Sequence, residues 1–343
     1  MSGSPREHPP DASDERPRVA SGQLPPGTSR ERPLDASRER PLDALIIGGG
    51  PAGLTAALYL ARFGRRFALL DAGEPRAAWI PTSHNIPFFA EGIGGEEILA
   101  LQRDHLARYG VVPIRATVTG LRREGGLFRA ATAAAAIHAR RVLLATGAED
   151  VEPDLPDLPD AIRRGLVRYC PICDGYEARG QRIAVIGPGA RGLGEAAFIA
   201  RTYSRDVTLL TLGALTEDEA ARAAAAGVQV ERHPIAALEI EGGRIAAIRT
   251  GDGRVLRFDT LYSALGLRLR SEFALSLGAK HDGTGALLVD DHGRTSVPGL
   301  YAAGAIVRGL DQIVVAMGHA AVAATDIHNR CAEPTEDEAD GPA

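Results

Sequence analysis

Hydrophobic positions in this chain come in short runs that end on glycine. The first run, residues 42–47, leads straight into Gly48-Gly49-Gly50-Pro51-Ala52-Gly53. An apolar run of this length bounded by turn residues predicts a buried strand. Residues 54–63 repeat apolar positions at helical spacing and predict a helix, with Gly64 placed to close it in a left-handed conformation. Residues 67–70 predict a second strand, ending at Asp71. Residues 79–95 carry Pro, Asn and Gly and predict an irregular loop holding His84 and Asn85, and residues 96–109 predict a further helix. Short strands are expected between 111 and 141, where the alanine run 133–136 favours helix by propensity but its neighbours favour a hairpin. Residues 142–145 predict a buried strand that leaves its sheet at Thr146-Gly147.

A similar pattern follows in the second half. Residues 150–160 are acidic and proline-rich and read as a crossing between domains. A strand at 182–186 runs into Gly187-Pro188-Gly189-Ala190-Arg191-Gly192, a helix is expected from about Leu193, and a partner strand at 207–210 ends in Thr211-Leu212-Gly213. Residues 228–262 predict strands joined by hairpin turns, among them Glu241-Gly242-Gly243 and Gly251-Asp252-Gly253. Residues 260–266 read as a return strand, 286–290 and 299–303 as two more strands, and 311–330 as a long helix. Ala316, Gly318, Ala320 and Ala321 allow another backbone to approach that helix closely. The expected fold is therefore α/β, with two nucleotide-binding units.

Composition adds limits. A length of 343 residues suits two domains, and 45% apolar residues with 40 glycines suit loop-rich α/β cores. Residues 1–41 hold many Pro, Ser, Arg, Asp and Glu and close on a repeated Glu-Arg-Pro-Leu-Asp-Ala, a composition expected to be disordered. Residues 332–343 read as a frayed acidic tail. The net charge of −5, spread in both signs, gives no basic stripe for nucleic acid. No apolar run is long enough for a membrane span or a secretory signal, so a cytoplasmic protein is expected.

The candidate chemistry lies at three places. Strand, G-x-G-x-x-G, helix, strand and acid in series form the context in which glycines bring backbone up to a pyrophosphate at a helix N-terminus. Gly48, Gly50 and Gly53, with Pro51 and Ala52, are the expected cradle, and Asp71 is placed to accept hydrogen bonds from an adenosine ribose. Gly187, Gly189 and Gly192 form a second fingerprint, but Thr211 stands where an NAD site wants an acid, and no arginine follows for an NADP phosphate. Between the two lies Cys170-Pro171-Ile172-Cys173-Asp174. A C-x-x-C pair of this kind reads as a redox dithiol, its thiolate being the attacking species and Asp174 a proton donor or acceptor. Zinc, a structural disulfide or two plain buried thiols are the alternatives; no second ligand pair accompanies the cysteines, so no metal is expected. The third cysteine, Cys331, reads as idle.

Gly48-Gly-Gly-Pro-Ala-Gly53, Ala145-Thr-Gly147, Cys170-Pro-Ile-Cys-Asp174, Gly187-Pro-Gly-Ala-Arg-Gly192 and Gly299-Leu-Tyr-Ala-Ala-Gly304 fall in an order that resembles the low-molecular-weight thioredoxin reductases, over residues 42–331. The resemblance implies a homodimeric flavoprotein of two Rossmann-like domains of the three-layer ββα type. An FAD domain would comprise 42–152 and 263–331, and an NAD(P)-type domain, 153–262, would be inserted into it and carry the dithiol. It implies FAD contacts from Asn85, Ala145, Thr146, Gly147, Gly304, Ala305, Gln312 and Ile313 besides the first fingerprint. Cys173 would lie nearer the flavin, Cys170 would exchange with an external disulfide, and Asp174 would act as the acid. Electrons would pass from NAD(P)H to thioredoxin, another protein or a small disulfide. One domain would rotate against the other, with hinges near 150–160 and 263–270.

Three departures accompany the resemblance. Members using NADPH carry His-Arg-Arg where this chain has Thr211-Leu212-Gly213, so the 2′-phosphate clamp is absent. Gly304-Ala305 replaces Gly-Asp at the flavin ribityl chain. Asp311-Gln312 replaces Arg-Gln, and Asp311 is expected to cap the last helix. The Cys-Pro-x-Cys-x-Gly-Tyr-Glu wording also resembles dithiol oxidases, though these usually have His after the second Cys. A dithiol oxidase using oxygen, a reductase with a non-nicotinamide donor and a degenerate flavoprotein redox sensor are therefore the alternative readings.

Overall fold

A computed structural model describes residues 41–152, 161–162, 164–241 and 244–331. The amino-terminal arm, most of the proline-rich crossing, the 242–243 turn and the acidic tail lie outside the described residues.

The first apolar run forms the strand Leu42–Ile47, buried from Ala44 onward, at the centre of the larger sheet. It pairs in parallel with Phe67–Asp71 on one side and Ala136–Leu144 on the other. Ala136–Leu144 changes partners along its length. Its first half pairs antiparallel with Leu127–Thr132, and its second half carries Leu300–Ala302 in parallel. The alanine run is the hairpin between those strands. Ala134 and Ala135 donate backbone N–H groups to the Thr132 hydroxyl, a local turn that outcompetes helical propensity.

Helices Pro51–Arg62, Gly95–Ala107 and Ile313–Arg330 cover one face of this sheet, and the antiparallel strands Val118–Glu124 and Leu127–Thr132 belong to a second layer on the other. Two separate apolar cores result, one on each face. Two helices start earlier than expected, for one reason. The helices begin at Pro51 and Gly189, inside the glycine motifs, because the last part of each motif already forms the first helical turn.

A second parallel sheet has the order Gln229–Glu231, Val207–Thr211, Ile183–Gly187, Thr260–Ser263, Val167–Arg168. Its chain lies between the strands Ala136–Leu144 and Leu300–Ala302 of the first, so one Rossmann-type unit is inserted into the other. A three-stranded antiparallel sheet, residues 235–256, accompanies the second unit. Where the chain crosses out and back, Ala148–Asp150 and Leu267–Leu269 pair antiparallel as a two-stranded ribbon.

Residues 286–290 do not form the expected strand. Leu287 makes only isolated bridges to His281 and Val307. The Asp282 carboxylate gathers the backbone N–H groups of Thr284 and Ala286, so the segment is spent on a turn.

Candidate active site

The first fingerprint is pressed together backbone to backbone. Gly48 has φ +112°, and a Cβ on it would lie 2.2 Å from the Ala145 carbonyl oxygen; one on Gly53 would lie 1.8 Å from the Gly48 carbonyl oxygen. Only glycine permits that conformation and that approach. Gly50, the N-cap of the helix Pro51–Arg62, offers no side chain to the free N–H groups of the first turn, and Pro51 occupies the first position. The result is an uncapped helix N-terminus facing a cavity of about 490 Å³.

This one cavity gathers most of the expected site. Its wall includes Gly48, Gly50, Pro51, Ala52, Asp71, Asn85, Ala145, Thr146, Gly147, Gly304, Ala305, Gln312 and Ile313, together with Cys170, Cys173 and Asp174. Gly53 stands behind the cradle, not in its wall. Asp71 Oδ1 accepts from Gly73 N at 2.9 Å and Gly49 N at 3.3 Å, so one carboxylate oxygen fastens the loop while Oδ2 lies 4.0 Å from Arg103.

Several wall residues have no motif to announce them. Arg76 grips Asp150 through two nitrogens at 2.6 and 2.7 Å, and Arg270 holds Glu149 at 2.6 Å. Tyr169 is also in the wall; its buried hydroxyl has no hydrogen-bond partner, and burial pushes its pKa up. Its place beside Cys170 was the only sequence signal available. An uncapped helix N-terminus, a glycine cradle and an orphaned hydroxyl in one wall fit a flavin dinucleotide.

Asp311 does not cap the last helix. Gln312 is the N-cap, without a side-chain cap bond, and Asp311 lies near Arg76 and Asp150, where burial raises its pKa. Arg76 favours the Asp311 carboxylate and Asp150 opposes it, a neighbourhood that the sequence around the helix end does not reveal.

Cys170 and Cys173 form a disulfide. Pro171 starts the single helical turn Pro171–Asp174, and Cys173 N donates to the Cys170 carbonyl at 2.9 Å, which brings the two sulfurs to one side. Asp174 accepts a 2.8 Å hydrogen bond from the Tyr262 hydroxyl, and Arg168 Nε lies 3.6 Å from its other oxygen. Burial raises the Asp174 pKa, opposed by Arg168 and by the Tyr262 bond, with Glu177 adding to the rise and His84 opposing it. Tyr262 is itself wholly buried in the second sheet. Cys331 is a free thiol, and burial raises its pKa.

The second fingerprint lies outside this cavity. A Cβ on Gly192 would stand 2.7 Å from the Gly187 carbonyl oxygen, so these glycines serve strand–helix packing whether or not a nucleotide binds. Thr211 turns its hydroxyl onto the Gly213 carbonyl at 3.0 Å. The following helix, Glu217–Ala225, opens with a capping box in which Thr216 and Glu219 satisfy each other's backbone. Glu219 Oε1 lies 3.2 Å from where a Cβ on Gly189 would be. Residues 211–219 contain no Lys or Arg. This corner places the Glu219 carboxylate beside the glycine turn.

Among the described residues there is no cluster of three or more His, Cys, Asp or Glu side chains suited to a metal, and no helix long and apolar enough to cross a membrane.

A fingerprint cradle and a C-x-x-C disulfide opening on one cavity, carried by two Rossmann-type units, define a disulfide oxidoreductase. Residues 42–320 match the model of the pyridine nucleotide-disulphide oxidoreductase family, and the chain belongs to that family, whose members depend on FAD and use NAD(P)H. Within it, the chain groups with the low-molecular-weight thioredoxin reductases. The thioredoxin reductase of Treponema pallidum is 29% identical over 296 residues, which cover 82% of this chain and 94% of that protein. The crystal structure of thioredoxin reductase from Streptococcus pyogenes superposes with a TM-score of 0.77 at 28% identity, covering 84% of this chain and 97% of that one. The crystal structure of HlmI gives 0.78 at 29% identity, covering 85% and 93%.

Proposed function

We propose that this chain is a flavin-linked thiol–disulfide oxidoreductase in which FAD occupies the cavity and exchanges electrons with the Cys170–Cys173 disulfide. The observation that carries this reading is that both sulfurs line the same cavity as the first fingerprint. Gly48, Gly50, Pro51 and Ala52 would hold the pyrophosphate, Asp71 the ribose, and Ala145, Thr146, Gly147, Gly304, Ala305 and Ile313 the remainder. FAD supplies two-electron transfer at the sulfurs when bound. Residues 42–152 with 263–331 then form the flavin domain and 153–262 the dithiol domain, with the ribbon of Ala148–Asp150 and Leu267–Leu269 as the hinge. A homodimer and a thioredoxin-like protein or small dithiol or disulfide as partner follow from the same reading. Purified protein is expected to be yellow and its flavin to bleach anaerobically with a dithiol. Colourless protein that takes up no added FAD overturns the proposal and favours a sensor that has lost its cofactor.

The electron donor is a separate question, and the Glu219 carboxylate beside Gly189 favours one answer. NADPH would carry its extra phosphate toward residues 211–219, which hold no Lys or Arg and place the Glu219 carboxylate beside Gly189, and this costs binding. Anaerobic titration is expected to show slow or absent bleaching by NADPH and full bleaching by dithiols, with oxygen consumed on re-aeration. This is the behaviour of a dithiol oxidase or of a reductase with another donor. Stoichiometric, rapid bleaching by NADPH rules it out and restores the ordinary reductase.

Asp174 serves as the acid for the departing thiolate in this scheme. Tyr262 donates to its ionised form, so Tyr262→Phe raises its pKa further and keeps the acid protonated to higher pH. The alkaline limb of the pH profile for dithiol turnover is expected to move upward, by up to about one unit. An unmoved limb would exclude Asp174 as the titrating group.

A further inference from the structure

Gln312 and Asn85 do something in this structure that a flavin contact does not explain. Gln312 Nε2 lies 3.4 Å from Cys170 Sγ, and its Oε1 lies 3.6 Å from Cys173 Sγ. Asn85 Nδ2 donates to that same Oε1 at 2.8 Å, and the Ser83 hydroxyl donates to Asn85 Oδ1 at 2.8 Å. Asn85 Nδ2 also reaches the carbonyl oxygen of Ile172, inside the C-x-x-C turn, at 3.4 Å.

Orientation of a side-chain amide has to be inferred from its partners. Here the partners fix it. The Ile172 carbonyl can only accept, which sets the Asn85 amide nitrogen toward it and Gln312 and leaves Oδ1 to the Ser83 hydroxyl. Gln312 must then present oxygen to Asn85, and its nitrogen is turned to Cys170. The three groups form one chain of donors running from the loop through the helix N-cap to a sulfur, and such chains polarise each bond in the same direction.

We infer that Gln312, oriented by Asn85 and Ser83, is a catalytic hydrogen-bond donor to Cys170 that stabilises its thiolate when the disulfide opens. The inference rests on the dithiol reading of the proposed function. If bound FAD exchanged an electron pair at Cys173 Sγ, the S–S bond would break with its bonding pair left on Cys170 Sγ, and in the opposite direction the Cys170 thiolate would return that pair to re-form the S–S bond as the flavin is reduced. The negative charge thus develops on the sulfur that already faces the Gln312 N–H. Hydrogen bonds to a charged acceptor are about twice as strong as neutral ones, so the contact is worth more in the opened state than in the closed one. Cys170 later gains its proton or attacks the external disulfide, and the bond to Gln312 is given up.

The charged groups around the dithiol largely answer one another. Arg168 faces Asp174, His84 lies 3.8 Å from Glu177, and Arg76 holds Asp150 with Asp311 nearby. A neutral amide therefore supplies a donor at the sulfur without adding a charge.

The test reads the thiolate directly. In a Cys173→Ser, Cys331→Ala background Cys170 is the only cysteine left, and carbon-13 labelling of its Cβ lets NMR follow its titration in the flavin-loaded protein. Gln312→Leu is expected to raise the Cys170 pKa by about one unit, roughly a tenfold loss of thiolate at a given pH below it. Gln312→Glu is expected to raise it further, and Asn85→Ala to raise it less. If Gln312→Leu loses flavin or fails to fold, the other two variants carry the test. An unchanged or lowered pKa in the variants that fold overturns the inference. The titration needs no turnover, so flavin-loaded protein without dithiol activity would sink the proposed function while the Cys170 pKa could still be read.

Discussion

Serine in place of Cys170 or Cys173 is expected to cut dithiol turnover roughly a thousandfold or more while leaving bound flavin unchanged. Both sulfurs are needed, because one must leave as the other is attacked, and a serine hydroxyl is a poor nucleophile and a poor leaving group at neutral pH. The cofactor should stay, since the cradle is made by backbone of Gly48–Gly53 and Ala145 and neither cysteine supports it. Turnover with a small dithiol and the ratio of flavin to protein absorbance check the two halves of this result. Turnover that survives both substitutions would place the active site elsewhere.

A methyl group at Gly53 is expected to act on the cofactor and the fold instead. Its Cβ would stand 1.8 Å from the Gly48 carbonyl oxygen, and the obstacle is backbone that cannot swing aside as a side chain can. Gly53→Ala must therefore push the strand Leu42–Ile47 away from the helix Pro51–Arg62 in the middle of the larger sheet. Overpacking of this kind costs about 1–3 kcal/mol when side chains give way, and contact with backbone lies at or above the top of that range. Thermal unfolding and flavin content after gel filtration are both expected to fall clearly below wild type, whereas the cysteine variants keep both. Normal flavin occupancy and an unchanged Tm in Gly53→Ala would mean that the turn has room it does not show.

The two variants separate the parts of the site that the sequence announces most clearly. Each is local: a fingerprint is six consecutive residues, and the dithiol is four. Helix and strand order were legible for the same reason, since hydrophobic period is a short-range property. The turn at 132–135 and the failed strand at 286–290 show the limit. In both, a single side chain, Thr132 or Asp282, captures nearby backbone N–H groups, and one goes with the expected hairpin while the other defeats the expected strand.

The sequence by itself determined the class of fold, the glycine turn of the first fingerprint and the close cysteine pair, because all three depend on residue type at fixed short spacing. Only the tertiary structure decided what faces what. It set Tyr262 against Asp174 across 88 positions, Gln312 against Cys170 across 142, and Arg76 against Asp150 across 74. It moved Asp311 from its expected cap to the neighbourhood of Arg76, and it placed Glu219 beside Gly189. Contacts of that range arise from how two sheets and their helices pack, and no local pattern in the chain encodes which side chains will meet.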